Sequence, residues 1–307
     1  MRASSQTTAN MPTLTTHAAP PAPAILSPTL EGVGALIEGR GTAVVLLHSS
    51  LSSKKQWREL IQQMRHSYRL IAIDLHGYGE APPPRPERDF SLDDEVALVE
   101  AVLASALRAD ERFHLVGHSY GGVIALQLAQ GQSRRVRSLT LFEPIPFHLL
   151  PDGNAVLPDL LSIRDEVDAS LRGGDAMRGV ARFVDYWSGA GAFSQMTLDR
   201  RVALSRLLPK MALELRAVER ETLPRERYQR IVAPTCLITG RASPRAAHIA
   251  TAALAGLLPQ AKKIQIAAGH MAPVTHPALV NPVIERFIRA VDDRAPTYNF
   301  HSPGIAV

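Results

Sequence analysis

The chain has 307 residues, enough for one large α/β domain with an insertion or for two small domains, and 46% of them are hydrophobic, ample for a substantial core. Its formal net charge of +5 comes mainly from arginines scattered along the sequence rather than from a basic block, which points to a solvated surface and not to nucleic acid. No apolar run reaches the roughly 20 residues that span a bilayer, and a lone cysteine, Cys236, excludes an intrachain disulfide or a cysteine-rich metal site.

Residues 1–30 are rich in Ser, Thr, Ala and Pro, lack acidic side chains and show no periodicity, which predicts a disordered leader. With no apolar h-region and Arg2 as its one basic side chain, this stretch reads neither as a secretory signal nor as a transit peptide, so a cytoplasmic enzyme is expected. Order is predicted to begin near Gly34, with a first strand ending at Glu38. The unbroken apolar run 43–47 predicts a strand buried on both faces, ending in His48-Ser49-Ser50. Helical spacing through Trp57, Leu60, Ile61 and Met64 covers 56–66, and a strand at 69–74 leads into Leu75-His76-Gly77-Tyr78-Gly79. The proline-rich run 81–86 is extended by steric necessity. Ser91 and Asp94 then offer a capping box for a helix whose apolar side chains are Val96, Val99, Val102, Leu103 and Leu107.

The stretch 113–122 holds Gly117-His118-Ser119-Tyr120-Gly121, a G-x-S-x-G motif between an apolar strand signal and a helical one at 123–129. A strand that turns sharply into a helix strains the central residue and points its side chain outward, and glycines at 117 and 121 leave room where the two segments pass. A strand at 136–142 follows, ending in Glu143-Pro144-Ile145-Pro146. From 147 to 230 the pattern is amphipathic helices at 157–171, 176–187 and 198–218, without strand signals. Strands return at 235–239, where Cys236 reads as a buried structural thiol, and at 262–266, separated by a helix at 244–258. Gly269-His270 comes next, then a last helix at 279–291 and a tail at 296–307. Strands alternating with helices predict a mainly parallel sheet covered on both faces. The histidines show no metal-ligand spacing, and no metal or other cofactor is indicated.

These features resemble the α/β-hydrolase superfamily, with a serine nucleophile elbow at Ser119. Leu47-His48-Ser49-Ser50, residues 74–79, Leu141-Phe142-Glu143-Pro144, residues 183–187 and residues 269–277 look like a bacterial group of uncharacterised serine α/β-hydrolases, and the likeness covers nearly everything after the leader. It implies a core of 31–146 and 231–295 with a helical cap at 147–230. In that fold the first loop usually reads His-Gly-x, and the backbone N–H of x joins that of the residue after the nucleophile as an oxyanion hole. By position those donors are Ser50 and Tyr120, with Ser49 replacing the glycine. Asp74 and His76 look architectural.

The order implied by the resemblance is nucleophile, acid, histidine. His270 follows the final strand and is the expected base, with His276 as its rival; His118 is expected to face the core side. The acid commonly follows the strand that is here 235–239, but this chain reads Gly240-Arg241-Ala242-Ser243-Pro244 and has no Asp or Glu between Glu226 and Glu285. Glu143 ends the strand after the elbow helix, where some members, haloalkane dehalogenases among them, carry their acid. The expected constellation is therefore Ser119–Glu143–His270, against a Ser–His dyad or a Glu143 that merely anchors the loop beside Pro144. A serine nucleophile argues against dehalogenase and epoxide hydrolase chemistry and suits acyl transfer on a small-molecule substrate. Carboxylic ester hydrolysis leads, with thioester, lactone or carbon–carbon bond hydrolysis as variants. Cofactor-free perhydrolase or haloperoxidase-like activity and a non-catalytic ligand receptor are the other readings. Phe183, Tyr186, Trp187, Phe193, Leu207 and Leu208 either line a cavity or pack the cap. Oligomeric state leaves no signature in the sequence.

Overall fold

In the computed structural model the described residues are 34–85, 89–151 and 153–294. The predicted leader at 1–30 and tail at 296–307 lie outside them. Seven strands form one sheet: β1 (Ala35–Gly39), β2 (Thr42–Leu47), β3 (Tyr68–Ile73), β4 (Phe113–His118), β5 (Val136–Phe142), β6 (Thr235–Gly240) and β7 (Ala261–Ile266). Their spatial order is β1-β3-β2-β4-β5-β6-β7; β1 runs antiparallel to β3 and every other pairing is parallel.

The apolar run of β2 shows why such strands lack alternation. Val45 and Leu47 join one buried cluster, with residues of α2 (Leu92–Ala106), α3 (Tyr120–Gly131) and α9 (Arg245–Leu257). Val44 and Leu46 join another on the opposite face, with α1 (Arg58–Met64) and α11 (Pro277–Asp292). Both faces of the strand are therefore covered, and neither tolerates a polar side chain without a partner. Cys236 lies in the second cluster with no exposed surface, and burial pushes its thiol pKa up to about 12. It is a packing group and not a nucleophile.

Between β5 and β6 the chain forms α4 (Leu157–Arg172), α5 (Ala176–Ser188), α6 (Leu198–Ser205), α7 (Leu208–Glu219) and α8 (Arg225–Tyr228). The predicted single helix at 198–218 is two helices. It breaks at Arg206 and Leu207, and Pro209 stands in the first turn of α7. A proline there has no N–H to lose, whereas one in mid-helix would clash with the preceding turn. After β7, α10 (Ala272–Thr275) leads into α11.

Candidate active site

The parallel sheet delivers its strand ends to one edge, and the backbone there is unusual. Among the described residues three non-glycines have positive φ: Leu51 at 57°, Ser119 at 52° and Glu143 at 45°. They follow β2, β4 and β5, three neighbouring strands. Each such conformation costs on the order of 1–3 kcal/mol and persists only where the surroundings enforce it. For Ser119 the enforcement is visible. Its N–H donates to the Phe142 carbonyl at 2.9 Å, and α3 begins at the next residue. A Cβ on Gly121 would lie 2.3 Å from the His48 carbonyl oxygen, and one on Gly117 would lie 2.6 Å from that of Gly121. Both contacts are with backbone that cannot swing away, so Gly121→Ala is expected to cost about 3 kcal/mol or more, measurable as a lower urea midpoint.

Ser119, Glu143 and His270 come from three separate strand ends and meet. His270 Nε2 is 3.1 Å from Ser119 Oγ, and His270 Nδ1 is 2.7 Å from Glu143 Oε2. The other Glu143 oxygen, Oε1, accepts the Gly240 N–H at 2.6 Å, and the residue is fully buried. The end of β6 thus supplies a backbone donor to the Glu143 carboxylate, and the turn that follows carries no carboxylate of its own. Ser243, in that turn, is 9% exposed and its Oγ has no partner among the described residues. His276 is exposed, with its Nδ1 2.8 Å from Thr275 Oγ1, and it does not reach Ser119. His118 is buried and its Nε2–H donates to the His270 carbonyl at 2.9 Å, so it supports the loop that carries the other imidazole. Burial, with His270 nearby as a second cause, holds the His118 pKa well below the usual imidazole range. Trp187 of α5 lies against His270, ring centroids 4.4 Å apart at 31°.

The first loop is shaped by His48. The Leu75 N–H donates to its Nε2 at 3.0 Å, so the ring proton sits on Nδ1, which donates to the Ser49 carbonyl at 2.7 Å. Because a trans peptide is planar with its C=O and N–H opposed, tying the Ser49 carbonyl to His48 turns the Ser50 N–H the other way. Ser49, the departure from the usual glycine, has a use: its N–H and hydroxyl both donate to Gln56 Oε1, at 3.2 and 3.0 Å. Burial lowers the His48 pKa to about 4. Between pH 4 and the ordinary value of 6.5 the unfolded chain binds this proton and the folded chain does not, so the associated stability, roughly 3 kcal/mol, is present above 6.5 and lost as pH falls to 4. Urea midpoints should drop across this window, and His48→Asn should flatten the slope.

The insertion reaches the same place through charges that sequence reading missed. Lys210 of α7 is 5% exposed, with Nζ 3.0 Å from Glu95 Oε1 and 2.7 Å from Glu214 Oε1. Its ammonium also lies 4.7–5.0 Å from the ring centroids of Phe90, Tyr120 and Tyr78. Tyr78 donates its hydroxyl to Glu214 Oε2 at 3.0 Å. Burial holds the Glu214 carboxyl above its ordinary range, with Lys210 pulling the other way. The available signal is the i,i+4 spacing of Lys210 and Glu214 on the same buried face of α7 as Met211, Ala217 and Val218.

Two neighbouring cavities meet at this site. An inner one of about 40 Å³ is lined by Ser119, Tyr120, Ser50 and Glu214 together with apolar residues. An outer one of about 740 Å³ is lined by His270, Leu51, Phe183, Tyr186 and Trp187 among others. Ser50, Phe183 and Trp187 border both. Of the insertion's aromatic and apolar candidates, Phe183, Tyr186 and Trp187 line the outer cavity, whereas Phe193 and Leu208 are buried in the core and Leu207 packs partly buried against it. Among the described residues no cluster of three or more His, Cys, Asp or Glu is placed to hold a metal ion, and no helix is long and apolar enough to cross a membrane.

Several known proteins are similar to the chain. A probable lysophospholipase of Arabidopsis thaliana, BODYGUARD 1, is 36% identical over 115 residues, which are 36% of this chain and 24% of that protein. A pimeloyl-[acyl-carrier protein] methyl ester esterase of Aeromonas salmonicida is 31% identical over 147 residues, 48% of this chain and 54% of that one. The chain thus matches about a quarter to a half of the length of these relatives. The structure of MenH from S. aureus superposes with a TM-score of 0.70 at 22% identity, over 84% of this chain and 99% of that one, which is a likeness of fold. A family model described as the alpha/beta hydrolase fold matches residues 42–277, and with strand order, elbow and sheet edge in agreement the chain belongs to that family.

Proposed function

We propose that the protein is a serine hydrolase that cleaves a carboxylic ester or a related acyl bond through an acyl-enzyme on Ser119. The observation that carries this reading is the unbroken line of hydrogen bonds from Ser119 Oγ through both nitrogens of His270 to Glu143. Ser119 Oγ attacks the carbonyl carbon while His270 Nε2 takes its proton, and the carbonyl π pair moves onto oxygen. The backbone N–H groups of Ser50 and Tyr120 stabilise that oxyanion, the second of them at the N-terminus of α3, where the helix dipole adds to the effect. Glu143 keeps the proton on Nδ1 and stabilises the imidazolium, whose charge also meets the face of Trp187. His270 then passes the proton to the leaving-group oxygen as the C–O bond breaks, and water repeats the sequence to release the acid.

The insertion acts as a cap that dries this site. The methyl ester esterase named above supports ester chemistry on this fold. A fluorophosphonate should label Ser119, seen as a single modified peptide by mass spectrometry. A folded chain that stays unlabelled and leaves p-nitrophenyl acetate intact would overturn the reading in favour of a ligand receptor.

A further inference from the structure

We propose that the two cavities divide the substrate, so that the enzyme takes esters of a short acyl group with a bulky apolar alcohol. The inference rests on the serine-hydrolase reading and follows from which reacting group faces which space. In the step that expels the alcohol, the C–O bond breaks and the proton on His270 Nε2 goes to the departing oxygen. That oxygen must therefore lie beside His270, and whatever it carries must extend into a space His270 borders. His270 lines the outer cavity and not the inner one.

Ser119 and Tyr120 line the inner cavity and not the outer one. Once the new Oγ–C bond, the oxyanion and the leaving group have their directions, the acyl chain takes the fourth, into the inner cavity. There about 40 Å³ is free, against about 740 Å³ in the outer cavity, so a short acyl group is accommodated and a long one is not. Its walls do not yield easily. Val123, Ile145 and Val218 are buried, and Glu214 closes part of the pocket with a carboxyl already committed to Lys210 and Tyr78. A long alkyl chain would have to displace packed side chains or lie against that carboxyl, and both are unfavourable.

The outer cavity has the opposite character. Its about 740 Å³ lies within the range that holds a drug-sized molecule, and Phe183, Tyr186, Met196, Leu204 and Val274 give it an apolar lining. Val274, 46% exposed, marks its outer edge.

Two substrate series test the assignment. With p-nitrophenol as the constant leaving group, kcat/KM should fall at least about tenfold from acetate to octanoate. With acetate as the constant acyl group, kcat/KM should rise from ethyl to benzyl to naphthylmethyl esters. Leu215→Ala, which removes part of the inner wall, should raise the octanoate-to-acetate ratio at least about fivefold, and Val218→Ala serves if the first variant folds poorly. Octanoate equal to or better than acetate in a chain that a small fluorophosphonate labels at Ser119 would overturn the division while leaving the serine-hydrolase reading in place. No labelling of the folded chain would overturn both.

Discussion

Ser119→Ala should lower kcat for a p-nitrophenyl ester by about a million-fold, the scale at which nucleophile removal leaves only binding and oxyanion stabilisation. The size of the loss follows from the geometry. His270 Nε2 has the Ser119 hydroxyl at 3.1 Å as its target, and both groups are buried. Alanine removes the attacking oxygen and keeps the elbow, so thermal unfolding should show a folded chain. Stopped assays with purified variant and parent check this, and a variant that keeps more than about a thousandth of parental kcat would place the chemistry elsewhere.

Glu143→Gln should cost about ten-thousand-fold in kcat with little change in fold, because an amide cannot serve both of its neighbours. One carboxylate oxygen accepts from Gly240 N–H and the other from His270 Nδ1–H. If the amide turns its NH₂ to His270, the ring must carry its proton on Nε2 and can no longer take one from Ser119. If it turns its NH₂ to Gly240, two donors face each other in a buried place. Ser243→Ala, by contrast, should change kcat by no more than about threefold, since its Oγ bonds to nothing among the described residues. A collapse of activity in Ser243→Ala with a healthy Glu143→Gln would reverse the assignment of the acid.

Much of this was legible in the sequence because it depends on local constraints. The G-x-S-x-G motif needs two close backbone approaches, and those approaches are present at Gly117 and Gly121. The unbroken apolar run of β2 announces burial on both faces, and two separate clusters receive its alternate side chains. The absence of any carboxylate from 227 to 284, together with a place at a strand end, points to Glu143, and its side chain lies within hydrogen-bond reach of His270. What stayed hidden depends on contacts between distant segments. Lys210 pairs with Glu95 across two elements that sequence periodicity treats separately, so the pairing leaves no local signature. The role of Ser49 was hidden for the same reason, since its partner Gln56 comes from the following turn. The break between α6 and α7 falls just before Pro209, inside a stretch whose amphipathic spacing predicts one continuous helix.

With Glu143 directly after β5, β6 contributes one backbone N–H to its carboxylate, that of its last residue, Gly240. Ala242 and Pro244, in the turn that follows, border the outer cavity. Neither of those two side chains takes part in the hydrogen bonds that join Ser119, His270 and Glu143. Under the substrate division proposed above, exchanges at positions 242 and 244 would retune which alcohols the outer cavity admits.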